Sequence, residues 1–339
     1  MFDIFKLVFT DENFLKAFSQ TIIIIFIGFF FMRKGIVDVS AKKTLTALIW
    51  KLAVPCFAFN AFMQDFEWNS FRFSITEFVL AIVFYIILIS VGKLIFLKKG
   101  KDFSSVAGLM MAIGQTTLFS MPILQSVYEN KAKEVLLYIS TISIVFRIFV
   151  YIIGVTIISG EKITREKFFP QLKKVFVTPV MIGMLLGIFV FLTQNTFPVL
   201  RIDRTFPVLY STVKVISSLV SPLCMLLIGM SIGEAKIIEC IKDKNAWCLA
   251  VLRNIFAPIL ISVLCLLLHK TGIIHFTEYS LVAIVVGFSA PISVTLSIVC
   301  MQYKKEEVMA SRACVISTIL TLITFPLSFV LVHFILKCF

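Results

Sequence analysis

The sequence predicts an all-α polytopic membrane protein with ten transmembrane helices arranged as two inverted five-helix repeats. Hydrophobic residues make up 59% of the 339-residue chain and charged residues only 15%, and the mean hydropathy is +1.01. Soluble domains are roughly a quarter charged, so this composition disfavours a soluble core. The apolar residues occur in blocks of roughly 20, the length that an α-helix needs to cross about 30 Å of hydrocarbon.

Ten spans follow from these blocks and divide evenly into two halves. Residues 160–175 form the longest basic connection, which we expect to be cytoplasmic. The predicted units are therefore a first repeat at 1–159 and a second, inverted repeat at 176–339. The span bounds are approximately 14–32, 44–63, 76–97, 104–127, 135–159, 176–193, 207–232, 246–269, 277–302 and 308–336.

Proline positions support the inverted arrangement. An odd number of spans per half places the second half in the membrane in the opposite sense to the first. Pro55 and Pro122 interrupt the second and fourth spans at a separation of 67 residues, and Pro222 and Pro291 interrupt the seventh and ninth at 69. The two halves therefore show the matching interruptions expected of an internal repeat.

Loop charges predict the orientation in the membrane. Seventeen Lys and Arg residues fall in the loops on one side and nine on the other, and the richer side should face the cytoplasm. Both termini are then expected outside the cytoplasm, in a cell-membrane protein. Asp3, Asp11 and Glu12 precede the first span without the basic region of a signal peptide, so we expect that span to be retained.

Charge, cysteines and motifs favour no other class of protein. The net charge of +13 lies in short loops, so no nucleic-acid partner is expected. The eight cysteines form no CxxC pair and the three histidines are scattered, which predicts no metal site. The sequence lacks phosphate-loop, serine-hydrolase and zinc-protease motifs, so we expect neither an enzyme nor a cofactor.

Two spans carry helix-breaking and polar residues where lipid favours an unbroken apolar helix. They are the fourth, at residues 112–122, and the ninth, at residues 287–303. Pro291 has no backbone N–H, so the carbonyl one turn earlier loses its partner, and in hydrocarbon protein or water must replace it. Broken helices at corresponding positions of two halves are typical of a transporter's binding site.

The two breaks define a candidate substrate site. Free N–H groups at the start of a half-helix favour a carboxylate. The hydroxyl groups in the breaks could add donors, or they could bond to their own helices and allow close packing. The candidate residues are Gln115, Thr116, Thr117, Pro122, Pro291, Ser293 and Thr295.

Charged residues inside the spans bear on the substrate and on the driving force. Arg147 lies near mid-span, so it either faces a water-filled path, where it would attract an anion, or is held by helix-end carbonyls. We expect the spans to bury no carboxylate, which disfavours coupling to protons or sodium. The membrane potential alone could then drive anion efflux, with about 2.3 kcal/mol per charge per 100 mV.

Seven segments carry a resemblance to a known family; they are 28–36, 48–55, 115–123, 221–231, 253–258, 291–303 and 310–326. In this order and spacing they resemble the auxin efflux carrier family of membrane transport proteins. That family includes bacterial malate-permease-like members as well as the plant auxin exporters. The resemblance covers nearly the whole chain.

The resemblance implies that the fourth and ninth spans cross at their breaks, with an organic anion held beside the crossing by an elevator-type carrier. The family's Asn–Thr pair falls on Gln115 and Thr116, its crossover proline on Pro291, and polar contacts near Ile292 and Thr295. Gln115 stands where the family usually has Asn, and Ile292 and Thr295 replace residues with amide side chains. We therefore assign neither auxin nor malate as the substrate.

These observations predict a secondary transporter of a small organic anion, a carboxylate, that works by alternating access. The expected partners are the substrate and the lipid bilayer, with a homodimer as one option for the assembly. One alternative is a ligand-binding membrane receptor, but the longest connection, about 16 residues, supplies no sizeable soluble domain. Another is a cation-coupled carrier of related fold, which would need a carboxylate at the crossing.

Overall fold

The computed structural model describes residues 10–128, 131–160, 170, 172–173 and 175–339. Every regular element in this part of the chain is a helix, and six helices are long and apolar enough to cross a membrane. They confirm a multi-pass helical membrane protein, whereas the predicted connection at 160–175 lies largely outside the described residues. The six helices are Phe14–Arg33, Trp68–Ile95, Ala132–Ser159, Pro207–Glu234, Lys244–Lys270 and Glu307–Cys338.

The helices are described here by their order in the chain. The α-helices of the described residues are α1 Glu12–Arg33, α2 Val39–Leu48, α3 Val54–Asn60, α4 Trp68–Ile95, α5 Lys101–Ala112, α6 Met121–Val127, α7 Ala132–Ile148, α8 Val155–Ser159, α9 Pro179–Thr193, α10 Ile202–Thr205, α11 Pro207–Ser218, α12 Val220–Glu234, α13 Ile237–Lys242, α14 Lys244–Val251, α15 Ala257–Lys270, α16 Glu278–Phe288, α17 Val294–Gln302 and α18 Glu307–Cys338. Short 3₁₀ turns occur at Leu97–Lys99 and Pro198–Leu200.

Several helices begin where a polar side chain can accept a bond from the first turn. Asp11 caps α1 by accepting a hydrogen bond from the Phe14 amide at 2.7 Å. Thr277 caps α16 together with Ser280, whose hydroxyl accepts a bond from the Thr277 amide. Each such cap stabilises a helix by roughly 1 kcal/mol, because it satisfies an amide that has no partner within the helix.

Three of the prolines each follow a π-helical turn, which is wider than an α-helical turn. Four π-helical turns lie in the described residues, at Ile49–Ala53, Thr116–Ser120, Phe149–Gly154 and Leu252–Phe256. A proline leaves the carbonyl four residues earlier without a donor, and in three cases that carbonyl belongs to the central residue of a π turn. The pairs are Pro55 with Lys51, Pro122 with Leu118, and Pro258 with Asn254.

This geometry corrects the interpretation of two prolines as breaks. At Pro55 the chain stays helical from α2 through the π turn into α3, because a wider turn accommodates the proline ring. Pro222 lies in the first turn of α12, and the interruption falls one turn earlier, between α11 and α12 at Leu219.

Glycines allow the backbones of α1 and α12 to touch. A Cβ at Gly229 would lie 1.9 Å from the carbonyl oxygen of Ile25, and one at Gly28 would lie 2.2 Å from that of Leu226. Small residues of this kind let membrane helices approach closely enough for extensive van der Waals contact. A side chain at either position would separate the two helices.

The expectation that the spans bury no carboxylate is wrong. Glu77 lies in α4 and within the predicted third span, and it is 1% exposed. Glu278, in the predicted ninth span, begins α16 and is exposed to solvent. A single glutamate changes the hydropathy of a 28-residue apolar helix little, so the apolar pattern did not reveal that a carboxylate was buried there.

Candidate functional site

The breaks between α5 and α6 and between α16 and α17 meet at an antiparallel bridge between Gly114 and Ile292. The Gln115 amide donates to the carbonyl of Pro291 at 2.7 Å, and the Ser293 amide donates to the carbonyl of Ile113 at 3.1 Å. Each break thus satisfies backbone groups of the other. This exchange is how two non-helical segments can exist together at membrane depth.

Side chains from the first break complete the hydrogen bonding of the second. Thr116 Oγ1 donates to the carbonyl of Gly287 at 3.1 Å, the group four residues before Pro291 that the proline leaves without a donor. Ser120 Oγ donates to the next carbonyl, that of Val286, at 2.9 Å. Thr116 therefore bonds across the bridge and not to its own helix.

The side chain of Gln115 satisfies a backbone group at the start of α17. Its side-chain oxygen, Oε1, accepts a hydrogen bond from the Val294 amide at 3.2 Å, so it satisfies one of the free amides at the helix start. The residue is 6% exposed. In this conformation the side-chain oxygen of Gln115 is bonded to the backbone of α17.

The remaining predicted residues of the breaks differ in their surroundings. Thr117 Oγ1 donates to Ser143 Oγ at 3.3 Å, whereas the fully buried hydroxyl of Ser293 has no partner. Thr295 is half-buried in the first turn of α17, and Pro122 is buried in the first turn of α6. Ile292 is fully buried, and its amide donates to Ser317 Oγ at 2.9 Å.

Arg253 joins the two breaks. Its Nε donates to the carbonyl of Ala290 at 2.9 Å, while its Nη1 donates to the carbonyls of Met111 at 3.1 Å and Ala112 at 2.7 Å. The side chain is 1% exposed. One guanidinium therefore holds the end of α5 against the loop that follows α16.

Behind Arg253, the neighbouring Asn254 fixes the position of α18. Its Nδ2 donates to the carbonyl of Ser317 at 2.7 Å and to Thr321 Oγ1 at 2.6 Å. Ser317 Oγ in turn donates to Asn254 Oδ1 at 2.7 Å and accepts the Ile292 amide. The π turn at Leu252–Phe256 and α18 are thereby tied to the bridge through one network.

Arg147 is buried in α7, with an exposure of 3%. Its Nη1 donates to the carbonyl of Ser143 at 2.9 Å, and its Cζ lies 6.0 Å from the ring centroid of Trp50, within the range of a cation–π contact. Its Nη2 has no hydrogen-bond partner. Of the two environments predicted for Arg147, the structure shows a carbonyl contact within its own helix that leaves one donor unused.

Arg147 and Arg253 are both buried without an acidic partner among the described residues. Tyr85 of α4 interacts electrostatically with both Arg147 and Arg253, and its ring centroid lies 4.9 Å from that of Phe288. The ion pairs found among the described residues involve neither arginine. A buried guanidinium group without a carboxylate partner is costly, so these two arginines are candidate functional residues.

A model of the membrane transport protein family matches residues 14–329. The chain belongs to this family. It is the auxin efflux carrier family that the sequence resembles, so the chain is a membrane transporter. No curated protein matches the chain.

The match spans both breaks as well as Arg147 and Arg253 of this membrane transporter. Sequence reasoning placed the breaks but did not assign Arg253, Asn254, Ser317 or Tyr85 to the site. For Arg253 a signal was present, because an arginine inside a span without an acidic partner is a candidate functional residue. For the polar residues of α18, the sequence gives no sign of which face they occupy.

Proposed function

We propose that this membrane transporter is a secondary carrier that moves a small organic anion, a carboxylate, across the cell membrane by alternating access. The observation that carries the proposal is the burial of Arg147 and Arg253 without a carboxylate partner among the described residues. A buried cation is costly unless an anion compensates it. A carboxylate substrate would supply that compensation and would bind most tightly where the two guanidinium groups lie.

The unused donors indicate where the carboxylate would bind. Arg147 Nη2 and Ser293 Oγ are both buried and lack hydrogen-bond partners in this conformation. A carboxylate accepts such donors with charge-assisted hydrogen bonds. The rest of the proposed site is formed by Gln115, Thr116, Thr117, Pro122, Pro291, Ile292 and Thr295.

The proposed transport cycle uses the two halves as inverted repeats of five spans each. Beside the six long helices and the short helices α10 and α13, the described residues contain four more helical segments, at α2–α3, α5–α6, α9 and α16–α17, which supports a total of ten spans. The pairing of Gly114 with Ile292, one from each half, supports a site on the boundary between the repeats. Both termini would face away from the cytoplasm, and the carrier could assemble as a homodimer.

The burial of the site supports an occluded state. Gln115, Thr116 and Thr117 are each 6% exposed or less, and Ser293 is fully buried. Access would require the segments around the bridge to separate from their neighbours on one side of the membrane at a time. Such opening is the conformational step that alternating access demands.

The test is counterflow in proteoliposomes with a panel of radiolabelled mono- and dicarboxylates. The wild-type protein should exchange at least one of them, and Arg147→Gln should raise the KM while the protein stays folded. Arg72→Gln, which removes an exposed arginine of α4, is the matched control and should leave the KM unchanged. Failure of every carboxylate to exchange through folded wild-type protein would refute the proposal.

A further inference from the structure

A groove on the surface of the protein lies between α18 and α15 with the π turn that precedes it. Its volume of about 340 Å³ is at the lower end of the range for ligand sites, and its lining is almost entirely apolar. Pro258 and Val330 are its buried residues, whereas Ile259 and Phe334 are 47% and 41% exposed. None of these four residues belongs to the proposed substrate site.

Small side chains on α18 give the groove its depth. Four of them recur at intervals of three or four residues and therefore share one face of the helix, namely Ser317, Thr321, Thr324 and Ser328. The side chain of Asn254 fills the space beside the first two, to which it is hydrogen-bonded. Beside Thr324 and Ser328 the space is open, and this space is the groove.

The polar side chains that line the groove are already bonded within the protein. Thr324 Oγ1 donates to the carbonyl of Leu320 at 3.2 Å, and Ser328 Oγ donates to that of Phe325 at 2.6 Å. The amide group of Asn254 is used in its bonds with α18. An occupant of the groove is therefore held by van der Waals contact, which favours a hydrocarbon chain over a polar molecule.

The groove is continuous with the lipid-facing surface of the protein. Both of its helices belong to segments long and apolar enough to cross a membrane. Beside the groove, Val263 of α15 and Ile323 of α18 are 47% and 69% exposed, as expected of side chains that face hydrocarbon. Water is absent from that region, and an empty groove would deprive its lining of contacts. The acyl chains of the bilayer are the apolar molecules that can fill it.

The length of the groove fits one acyl chain. Its lining on α18 runs from Thr324 to Phe334, about 15 Å along the helix axis at 1.5 Å per residue. This distance is half of the roughly 30 Å of hydrocarbon in a bilayer, which is the depth of one leaflet. The lining lies in the half of α18 nearer its C-terminal end. There α15 ends at the same level, because the ring of His269 stacks on that of Phe339 at a centroid distance of 3.5 Å.

Two lysines lie at the end of the groove where the headgroup of such a lipid would be. Lys270 and Lys337 are exposed in the last turns of α15 and α18. Lys337 comes three residues after Phe334, and Lys270 comes eleven residues, or three helical turns, after Ile259. Each lysine therefore lies on the same face of its helix as an exposed residue of the groove. Their charges complement an anionic headgroup.

We infer that the groove binds one anionic phospholipid, with an acyl chain between α15 and α18 and the headgroup beside Lys270 and Lys337. Each lysine near the membrane surface strengthens the binding of an anionic lipid about fivefold. Asn254 lines the groove and is the neighbour of Arg253 in the π turn, so the bound chain also supports the segment that joins the two breaks. The inference goes beyond the proposed function and does not depend on the transported substrate.

The test is a titration of the purified full chain in detergent with phosphatidylglycerol or phosphatidylcholine, in which native mass spectrometry counts the bound lipids. The wild-type protein should saturate at one tightly bound phosphatidylglycerol per chain and should prefer it to phosphatidylcholine about tenfold or more. Lys337→Gln should lower the affinity for phosphatidylglycerol about fivefold and leave that for phosphatidylcholine unchanged. Equal affinities of the wild type for the two lipids would contradict the inference.

A matched pair of variants tests the groove itself. Ile259→Trp places a larger ring in the groove and should abolish the one-to-one binding. Ile323→Trp makes the same change at a lipid-facing position outside the groove and should bind the lipid as the wild type does. If Ile259→Trp does not fold, Ser328→Leu, which fills the groove from its buried side, takes its place. Lipid binding that survives in the groove variant, or a protein dimer in place of the lipid that the groove variant dissociates, would overturn the inference.

Discussion

The guanidinium of Arg253 occupies the space that a side chain at Gly114 would need. A Cβ at residue 114 would lie 1.8 Å from Arg253 Nη2 and 2.6 Å from its Cζ. The glycine of the first break and the arginine that joins both breaks are therefore one structural unit. The glycine is needed here for lack of a side chain and not for an unusual backbone angle.

Gly114→Ala should displace Arg253 and disrupt the bridge. The carbonyls of Met111, Ala112 and Ala290 would lose a charged donor, and each such loss costs about 1–3 kcal/mol. We expect a marked fall in thermal stability in detergent and loss of counterflow. The matched control is Gly287→Ala in the other break, where the nearest atoms lie 3.7 Å from the added Cβ, so it should be tolerated. Equal behaviour of the two variants would contradict this account.

Ser317→Ala should destabilise the support behind the bridge. The substitution removes the acceptor of the buried Ile292 amide and the donor to Asn254 Oδ1. An unsatisfied buried amide costs about 1–3 kcal/mol, so a fall of that size in unfolding free energy is expected. Ser311→Ala, at an exposed position of the same helix α18, should change the stability little, and thermal unfolding of both variants in detergent is the measurement.

Gln115→Ala should weaken the start of α17 and alter substrate binding. It removes the acceptor of the Val294 amide, which we expect to cost about 0.5–2 kcal/mol, as for other lost helix caps. The counterflow KM should change as well, because Gln115 lies in the proposed site. Gln302→Ala, at the exposed end of the same helix, is the control. A shift in stability with no shift in KM would remove Gln115 from the site.

An ion pair outside the membrane should make the stability depend on pH. Arg201 Nε and Nη2 donate to the two carboxylate oxygens of Asp203 at 2.8 and 2.7 Å, and these bonds lower the pKa of Asp203 from its ordinary value. Because the pKa of Asp203 is lowered in the folded protein, the pair stabilises the fold at pH values above the unfolded pKa of about 3.9. This stabilisation is lost as the pH falls through the pKa of the folded state.

Asp203→Asn should therefore destabilise the protein by about 1.5–3 kcal/mol near neutral pH, the range for hydrogen bonds to charged groups. The difference from wild type should shrink in strongly acidic buffer. Asp102→Asn breaks the more exposed pair with Lys305 and should show a smaller effect. The measurement is thermal unfolding over a range of pH, and a difference that stays constant with pH would contradict the prediction.

The sequence was most informative where a backbone rule applied. Pro291 cannot donate a hydrogen bond, so the freed carbonyl of Gly287 had to find another partner, and the structure supplies Thr116. The role of Arg253 could not be predicted in the same way, because neither hydropathy nor spacing tells which carbonyls a long side chain will reach. The burial of Glu77 was missed because the mean hydropathy of α4 stays high even though the helix contains one glutamate.

The three π turns that precede prolines have a mechanical consequence. A widened turn can normally be erased when the hydrogen bonds of a helix shift by one residue. Pro55, Pro122 and Pro258 cannot take part in such a shift, because each lacks the N–H that the regular ladder would require. A regular α-helical ladder at these places would leave the carbonyls of Lys51, Leu118 and Asn254 without a backbone donor, so we expect the widened turns to persist when the neighbouring segments move.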